Sequence, residues 1–135
     1  MAYDNTVTVT GNITRDPELR YTNNSFAVAN FGLAWNQKDK NGEESTSFFD
    51  VTCWRDLAEH VAESLTKGDR VVVHGRLDQN SWVNNEGDKR SKVQIVADDI
   101  AASLRWANIN IDKAAKGTST PIQRPVKDLP PEDPF

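Results

Sequence analysis

Apolar and polar residues alternate along most of the first 112 positions, a pattern that predicts β-strands. Val7, Val9 and Ile13 are separated mainly by threonines, as in a half-buried strand. Gly11 falls on the apolar side of this strand and indicates a bend or bulge there. Later apolar stretches predict four more strands and a short additional one, over 26–35, 47–54, 70–77, 92–100 and 104–111.

One segment has a helical pattern instead. Leu57, Val61 and Leu65 recur every four residues, with alanines beside two of them. Gly68 is expected just past the end of this helix, at the C′ position that favours left-handed backbone. Loops rich in Asn, Asp and Gly are predicted on either side, over 36–45 and 84–88.

The predicted order is three strands, one helix and two strands. This all-β pattern with one helix, in about 110 residues, is that of a five-stranded Greek-key OB-fold barrel. Periodicity alone does not separate it from another small α+β barrel. Five of the six prolines lie beyond residue 120, and few apolar residues follow Lys113. We therefore expect an OB-fold domain over 1–112 and a disordered tail over 113–135.

The strand over 47–54 carries the most specific functional signal. Its odd-numbered residues from 49 to 53 are all apolar and are assigned to the core. Its even-numbered residues place Phe48 and Trp54 on the same face as Asp50 and Thr52. Such a polar face is expected to be accessible to solvent, which would leave both aromatic rings exposed.

Four aromatic side chains are expected outside the core: Trp35, Phe48, Trp54 and Trp82. Exposed rings suit a chain of unpaired bases, because every base has a π-face on which to stack. Basic residues close to them in the sequence are candidates for phosphate contacts: Lys38, Lys40, Arg55, Arg70, Arg76, Lys89 and Arg90. The alternatives are a second small core or an oligomer interface for the rings, and scattered solvated charge for the basic groups.

The net charge of −4 weakens any argument from bulk electrostatics. Residues 113–135 hold four basic and three acidic groups, so the predicted domain is itself acidic. Nucleic-acid-binding domains are usually basic. We therefore expect stacking on the aromatic rings to supply a larger share of any affinity than phosphate contacts do.

Nothing in the sequence favours an enzyme. Cys53, the one cysteine, excludes an internal disulfide and fits a reducing cytoplasm. The strand alternation turns it inward, which disfavours a nucleophile–base pair with His60 or His74. No glycine-rich phosphate loop and no metal-ligand spacing are present, so no catalytic residue, metal or cofactor is predicted. There is also no membrane-length apolar run, and the first residues are not typical of a secretion signal.

Several motifs resemble bacterial single-stranded-DNA-binding proteins (SSB). They are TGNITRDPELRY at 10–21, AVANF at 27–31, FFDVTCW at 48–54, LAEHV at 57–61, KGDRVVVHGRL at 67–77 and the final DPF at 133–135. A further stretch, SLRWA at 103–107, resembles the actinobacterial members.

The resemblance implies a homotetramer of OB folds that binds single-stranded DNA in replication, recombination and repair. It also implies a cytoplasmic protein that associates with the nucleoid. It implies that Phe48, Trp54 and Trp82 match base-stacking positions and that Trp35 falls near another. It also implies that an acidic C-terminal peptide docks into partner proteins, through Glu132, Asp133, Pro134 and Phe135.

Two segments depart from the family pattern. Family members often carry basic residues just before the hairpin tryptophan, where this chain has Asp-Gln-Asn-Ser at 78–81. Asp50 likewise falls where a basic residue is common, and the tail, at about 23 residues, is shorter than most. These departures keep open an alternative function, an SSB-like interaction module with weak DNA binding.

Overall fold

The computed structural model describes residues 4–113, which form six strands and one helix. In chain order these are β1 (Val7–Ile13), β2 (Glu18–Tyr21), β3 (Ala27–Lys38), β4 (Glu44–Trp54), α1 (Arg55–Ser64), β5 (Arg70–Val83) and β6 (Lys89–Ala102). Nearly all of the predicted tail, including the docking residues 132–135, lies outside the described part. Its predicted disorder therefore stays a prediction.

Five of the strands close into a barrel. The sheet order is β1-β5-β6-β4-β3, and β1 returns to pair with β3 at Asn12↔Ala34 and Ile13↔Leu33. The β4–β6 pairing is parallel, and the other described pairings are antiparallel. With α1 between β4 and β5, this confirms the predicted Greek-key OB barrel.

Two glycines allow strands to approach closely where the barrel bends. A Cβ atom at Gly11 would collide with the backbone carbonyl oxygen of Ala34. The β1–β5 register continues unbroken through Gly11, so this glycine provides close approach and not a bulge. The bulge lies in the β5–β6 pairing at His74/Gly75, where a Cβ on Gly75 would overlap the carbonyl oxygen of Val96.

The barrel interior is filled by apolar side chains from alternate positions of its strands. The largest fully buried ones are Phe31, Ile13, Leu33, Ile95, Val51, Val71, Val73 and Cys53. Ala58 and Val61 of α1 join this cluster, as the four-residue spacing predicted. Truncating Phe31 to alanine would cost about 3–5 kcal/mol of stability through lost burial and the cavity left behind.

The strand predictions were right in position but wrong in several lengths. The hairpin arm formed by β5 and β6 is much longer than predicted, so Trp82 lies within β5 and not in the loop after it. β3 runs past Trp35 to Lys38. β2 was missed although Leu19 and Tyr21 alternate with Glu18 and Arg20, because the strand is only four residues long. All four residues are exposed, and backbone pairing with β3 holds β2 at the sheet edge.

The additional strand predicted over 104–111 is absent from the described structure. β6 pairs with β5 up to Val71↔Ala102, and the Ser103 amide then donates to the Arg70 carbonyl oxygen at 2.9 Å. Because β5 begins at Arg70, it offers no backbone beyond that point for residues 104–111 to pair with.

The helix also ends earlier than predicted. Its C-cap is Leu65, so Gly68 lies three residues further on and not at C′. Gly68 does adopt left-handed backbone (φ +97°), within a turn closed by the Asp69 amide on the Thr66 carbonyl oxygen. The conformation expected of this glycine is confirmed, but its place is a separate turn leading into β5.

The two long hairpins use the same loop chemistry. In each, the first loop residue accepts two backbone N–H bonds on one side-chain oxygen at 2.9 Å: Asp39 from residues 41 and 43, and Asn84 from residues 86 and 88. The fourth residue, Gly42 or Gly87, has a φ of +83° or +84°. The sequence pattern Asx-x-x-Gly thus fixes the turns that carry both arms.

Candidate nucleic-acid interface

One continuous face of the sheet gathers the exposed side chains of β3, β4, β6 and β5. Registered pairs and side-chain hydrogen bonds connect it: Asn30 Nδ2 donates to Thr52 Oγ1, which donates to Gln94 Oε1, both at 2.9 Å. We call this the outer face. By strand register, its members are Asn30, Gly32, Ala34, Asn36, Lys38, Glu44, Thr46, Phe48, Asp50, Thr52, Trp54, Arg76, Asp78, Asn80, Trp82, Arg90, Lys92, Gln94 and Val96.

Three of the four predicted rings lie on the outer face and are open to solvent. Phe48 is 72% exposed, Trp82 47% and Trp54 42%. The inward alternate residues Val51 and Cys53 are fully buried, as the alternation predicted. Thr52, which was expected on the accessible face, is buried by its hydrogen-bonded neighbours Asn30 and Gln94. Each of the three aromatic residues therefore presents a sizeable solvent-exposed apolar surface, the largest fraction at Phe48.

Trp54 is held at the sharp junction between β4 and α1. The next residue, Arg55, has a φ of +63°, in the left-handed region that costs a non-glycine residue about 1–2 kcal/mol. Its guanidinium lies 4.4 Å from the centroid of the Phe26 ring, which fixes the turned-back chain. Such stored strain is typical of residues that position a functional group.

Trp82 lies on the β5–β6 arm with a basic partner beside it. Arg90 is directly opposite Trp82 in the ladder and shares its face. Lys89 is opposite Val83, so it projects from the other side of the arm. A shallow surface groove on that other side of the arm is lined by Gln79, Ser81, Val83, Lys89 and Ser91, with Trp82 and Arg90 also contributing to its lining.

A carboxylate stands at the centre of the outer face. Asp50 lies 2.9 Å from the Lys92 ammonium and 3.5 Å from the Arg15 guanidinium. Arg15 reaches it across Gly32, where a Cβ atom would lie 2.6 Å from the guanidinium nitrogen. The hydrogen bond from Lys92 holds the pKa of Asp50 below its usual range, and Arg15 adds to this, while partial burial acts in the opposite direction. Asp50 therefore remains charged throughout the neutral pH range.

The predicted basic residues fall into two groups. Lys38 pairs with Glu44 at 3.8 Å and Arg76 with Asp98 at 3.5 Å, both in exposed positions where an ion pair contributes little to stability. The other five form no ion pair within 4.0 Å among residues 4–113: Lys40, Arg55, Arg70, Lys89 and Arg90.

Trp35 and Arg70 lie apart from the outer face. Trp35 is opposite Ser47, so it projects from the side of β3 that carries Leu33, and it lines a depression with Thr8 and Phe49. A second depression beside β1 is lined by Trp35, Arg70 and Trp106, and we call these three residues the β1 cluster. The four rings expected to serve one surface are therefore distributed over two.

Trp106 was missed by the sequence reading. It is 73% exposed, with the Arg70 and Arg105 guanidiniums 4.7 and 4.9 Å from its ring centroid. The neighbouring alternation was interpreted as a strand, so the tryptophan was not considered as a surface ring. An arginine directly before the tryptophan, in Arg105-Trp106, was the signal available in the sequence.

The thiol of Cys53 does not suit a nucleophile. Burial raises its pKa to about 11, and its Sγ atom lies 3.8 Å from the carbonyl oxygen of Ala29 inside the core. Within residues 4–113, no three His, Cys, Asp or Glu side chains converge as a metal site would need. The same residues include no helix with the length and apolarity to cross a membrane.

A small OB barrel with exposed rings and basic side chains on one sheet face defines a class, the OB-fold proteins that hold single-stranded nucleic acid. Within that class, the chain belongs to the single-strand binding protein family, whose model matches residues 4–103.

Actinobacterial proteins named single-stranded DNA-binding protein are among its relatives. The one from Mycolicibacterium smegmatis is 46% identical over 122 residues, which cover 86% of this chain and 74% of the relative. The one from Paenarthrobacter aurescens is 43% identical over 125 residues, 88% of this chain and 73% of the relative. The Mycobacterium leprae protein is 44% identical over 122 residues, which cover 86% of this chain and 73% of the relative. The expected resemblance to actinobacterial members is thus confirmed.

Proposed function

We propose that this protein binds single-stranded DNA without sequence preference and acts by binding alone, without catalysis. Bases stack on Phe48, Trp54 and Trp82, and the strand's phosphates contact basic groups beside them. The observation that carries the proposal is that these three rings are exposed on one face while the alternate residues of β4 fill the core. The names of the relatives support single-stranded DNA as the ligand.

The basic residues proposed to contact phosphates differ in whether they lie on the outer face. By strand register, Arg90 and Arg76 share the face of Trp82, and Lys38 shares the face of Phe48. Lys40 lies in the loop after β3, Arg55 begins α1, and Lys89 is on the other side of the β5–β6 arm. Trp35 and Arg70, in the β1 cluster, would contact only a strand long enough to leave the outer face. Because few cations face the DNA, the plot of log affinity against log salt concentration should have a shallow negative slope. Each phosphate that the protein neutralises contributes roughly 0.7 to the steepness of this slope.

A titration followed by tryptophan fluorescence tests this function. Oligo(dT) should quench the emission, and a duplex of equal length should quench it far less, because paired bases have no free face to stack. A protein that shows no binding to a long oligonucleotide even at low salt contradicts the proposal. Binding that appears only at low salt supports the second candidate, an interaction module with weak DNA affinity, which the Asp50 ion pairs favour.

We further propose that the chain assembles as a homotetramer. Over 7–11, the described pairings of β1 are all to β5 on one side, so a second copy has an edge of this strand to join. Leu104 and Ile111 are exposed apolar side chains that an interface would also cover. Mass measurement with and without oligonucleotide tests the assembly: a four-chain mass supports it, and a stable monomer contradicts it.

The family resemblance supports a role in replication, recombination and repair, for a cytoplasmic protein that associates with the nucleoid. It also supports the recruitment of partner proteins by residues 132–135. Glu132 and Asp133 would supply charge, while Pro134 and Phe135 would enter a pocket on the partner. Deleting Pro134 and Phe135 should leave DNA binding intact and abolish capture of replication and repair proteins. Capture that survives the deletion contradicts the docking assignment.

A further inference from the structure

We propose that Asp50 is a resident anion that competes with DNA phosphates for Arg15 and Lys92, and so sets the affinity and the salt dependence of binding. The inference rests on the proposed function, because it assigns one residue a role in that same site. It differs from the aromatic contacts in predicting a residue whose removal strengthens binding.

Asp50 lies between the two aromatic residues of β4 that are proposed to stack bases. On β4 it lies between Phe48 and the Thr52–Trp54 end of the strand, so a strand of DNA that spans both rings passes over it. Its side chain is one-third exposed, and its two partners are about half exposed. A phosphate that approaches the outer face therefore meets this carboxylate together with the two cations.

Asp50 forms ion pairs with two cations that a phosphate would otherwise bind. Lys92 and Arg15 come from β6 and from the segment after β1, and both converge on the two oxygens of Asp50, at 2.9 Å and 3.5 Å. A phosphate presents the same kind of anionic oxygens to the same donors. While Asp50 holds both cations, a phosphate must displace the carboxylate or share the same donors with it.

The fold keeps the carboxylate in place. Asp50 is opposite Gly32, and only a residue without a side chain leaves room for the Arg15 guanidinium there. At the next outer-face position, the Thr52 hydroxyl is engaged by hydrogen bonds with Asn30 and Gln94 and not by Asp50. This arrangement makes Asp50 a built counter-ion and not a mobile surface charge.

The direct test is Asp50→Asn, which keeps the size and removes the charge, compared with Glu63→Gln. Glu63 is an exposed residue of α1, and its change alters the net charge equally at a position distant from the outer-face rings in sequence. At moderate salt, D50N should bind oligo(dT) about three- to ten-fold more tightly than E63Q. Its plot of log affinity against log salt should be steeper, by up to about 1.4 if both freed cations neutralise a phosphate.

A double-mutant cycle with Lys92→Gln separates competition from a general charge effect. In the wild-type background K92Q should change affinity little, because Asp50 already neutralises Lys92; in the D50N background it should remove much of the gain. A D50N protein that binds no better than E63Q, or more weakly than wild type, overturns the inference. If neither wild type nor D50N binds at low salt, the proposed function fails with it, whereas binding by D50N alone supports the competition.

Discussion

The outer face and the β1 cluster both expose tryptophans next to arginines, yet they are built differently. On the outer face, Trp54 and Trp82 project from the sheet with solvent over their rings. In the β1 cluster, Trp106 already has two guanidiniums within 5 Å of its ring centroid, and Trp35 lies on the core side of β3. Exposure alone therefore does not identify a stacking surface; the ring must also be free and share a face with others.

The largest expected effect comes from removing both tryptophans of the outer face. Trp54→Ala with Trp82→Ala should weaken oligo(dT) binding by about 2–6 kcal/mol, if each ring stacks one base independently. Trp35→Ala with Trp106→Ala is the matched control from the β1 cluster and should cost much less. Titrations of both proteins under identical salt measure the difference, and equal losses would erase the distinction between the two regions.

The single substitutions sharpen the same comparison. Trp54→Ala and Trp82→Ala should each weaken binding by about 1–3 kcal/mol, because each removes one base–ring contact. Both side chains are partly exposed, so thermal unfolding should confirm that the proteins remain folded. Unchanged affinity in both variants would show that the DNA path does not follow the outer face.

A smaller effect should distinguish the two sides of the β5–β6 arm. Arg90→Gln should weaken binding by about 0.5–1 kcal/mol, as the loss of one exposed phosphate contact would. Lys89→Gln changes the same charge one residue away, but on the side opposite Trp82, and should have less effect. Equal losses would indicate that only net charge matters on this arm.

The fold was predictable from the sequence because period-two and period-four patterns report which residues are buried. What the patterns missed depends on partners distant in sequence. The four exposed residues of β2 are a strand only because β3 accepts them, and 104–111 is not one because β5 has no residue left to pair. The division of β4 was predictable because alternation is a local property, and Val51 and Cys53 are indeed buried.

The candidate site was less predictable than the barrel. Proximity in sequence placed Trp35 with Phe48, but the register puts Ala34 opposite Phe48 and turns Trp35 to the other side. Likewise the ion pairs of Asp50 join three separate segments, which no spacing in the sequence reveals.

A further prediction concerns the stability of the core beneath the outer face and not DNA binding. Since burial raises the pKa of Cys53 to about 11, the folded protein holds this proton more tightly than the unfolded chain, whose ordinary value is 9.0. This contribution to the free energy of unfolding is fully present below pH 9 and is lost as the pH rises toward 11. Urea unfolding of wild type and Cys53→Ala at both ends of that range measures it.

Iodoacetamide provides the companion test. It should leave the native thiol and DNA binding unchanged at neutral pH, while the urea-unfolded chain should react readily. Rapid labelling of the native protein would contradict the burial of Cys53.

The most direct test of the central claim uses the four tryptophans as reporters. A W35F/W106F protein keeps only the outer-face tryptophans, and a W54F/W82F protein keeps only those of the β1 cluster. Phenylalanine preserves a ring in each position, so both proteins should still bind oligo(dT). We predict strong quenching of tryptophan emission in W35F/W106F and little in W54F/W82F; the reverse pattern, or equal quenching in both, would contradict the assignment of the outer face as the DNA-binding surface.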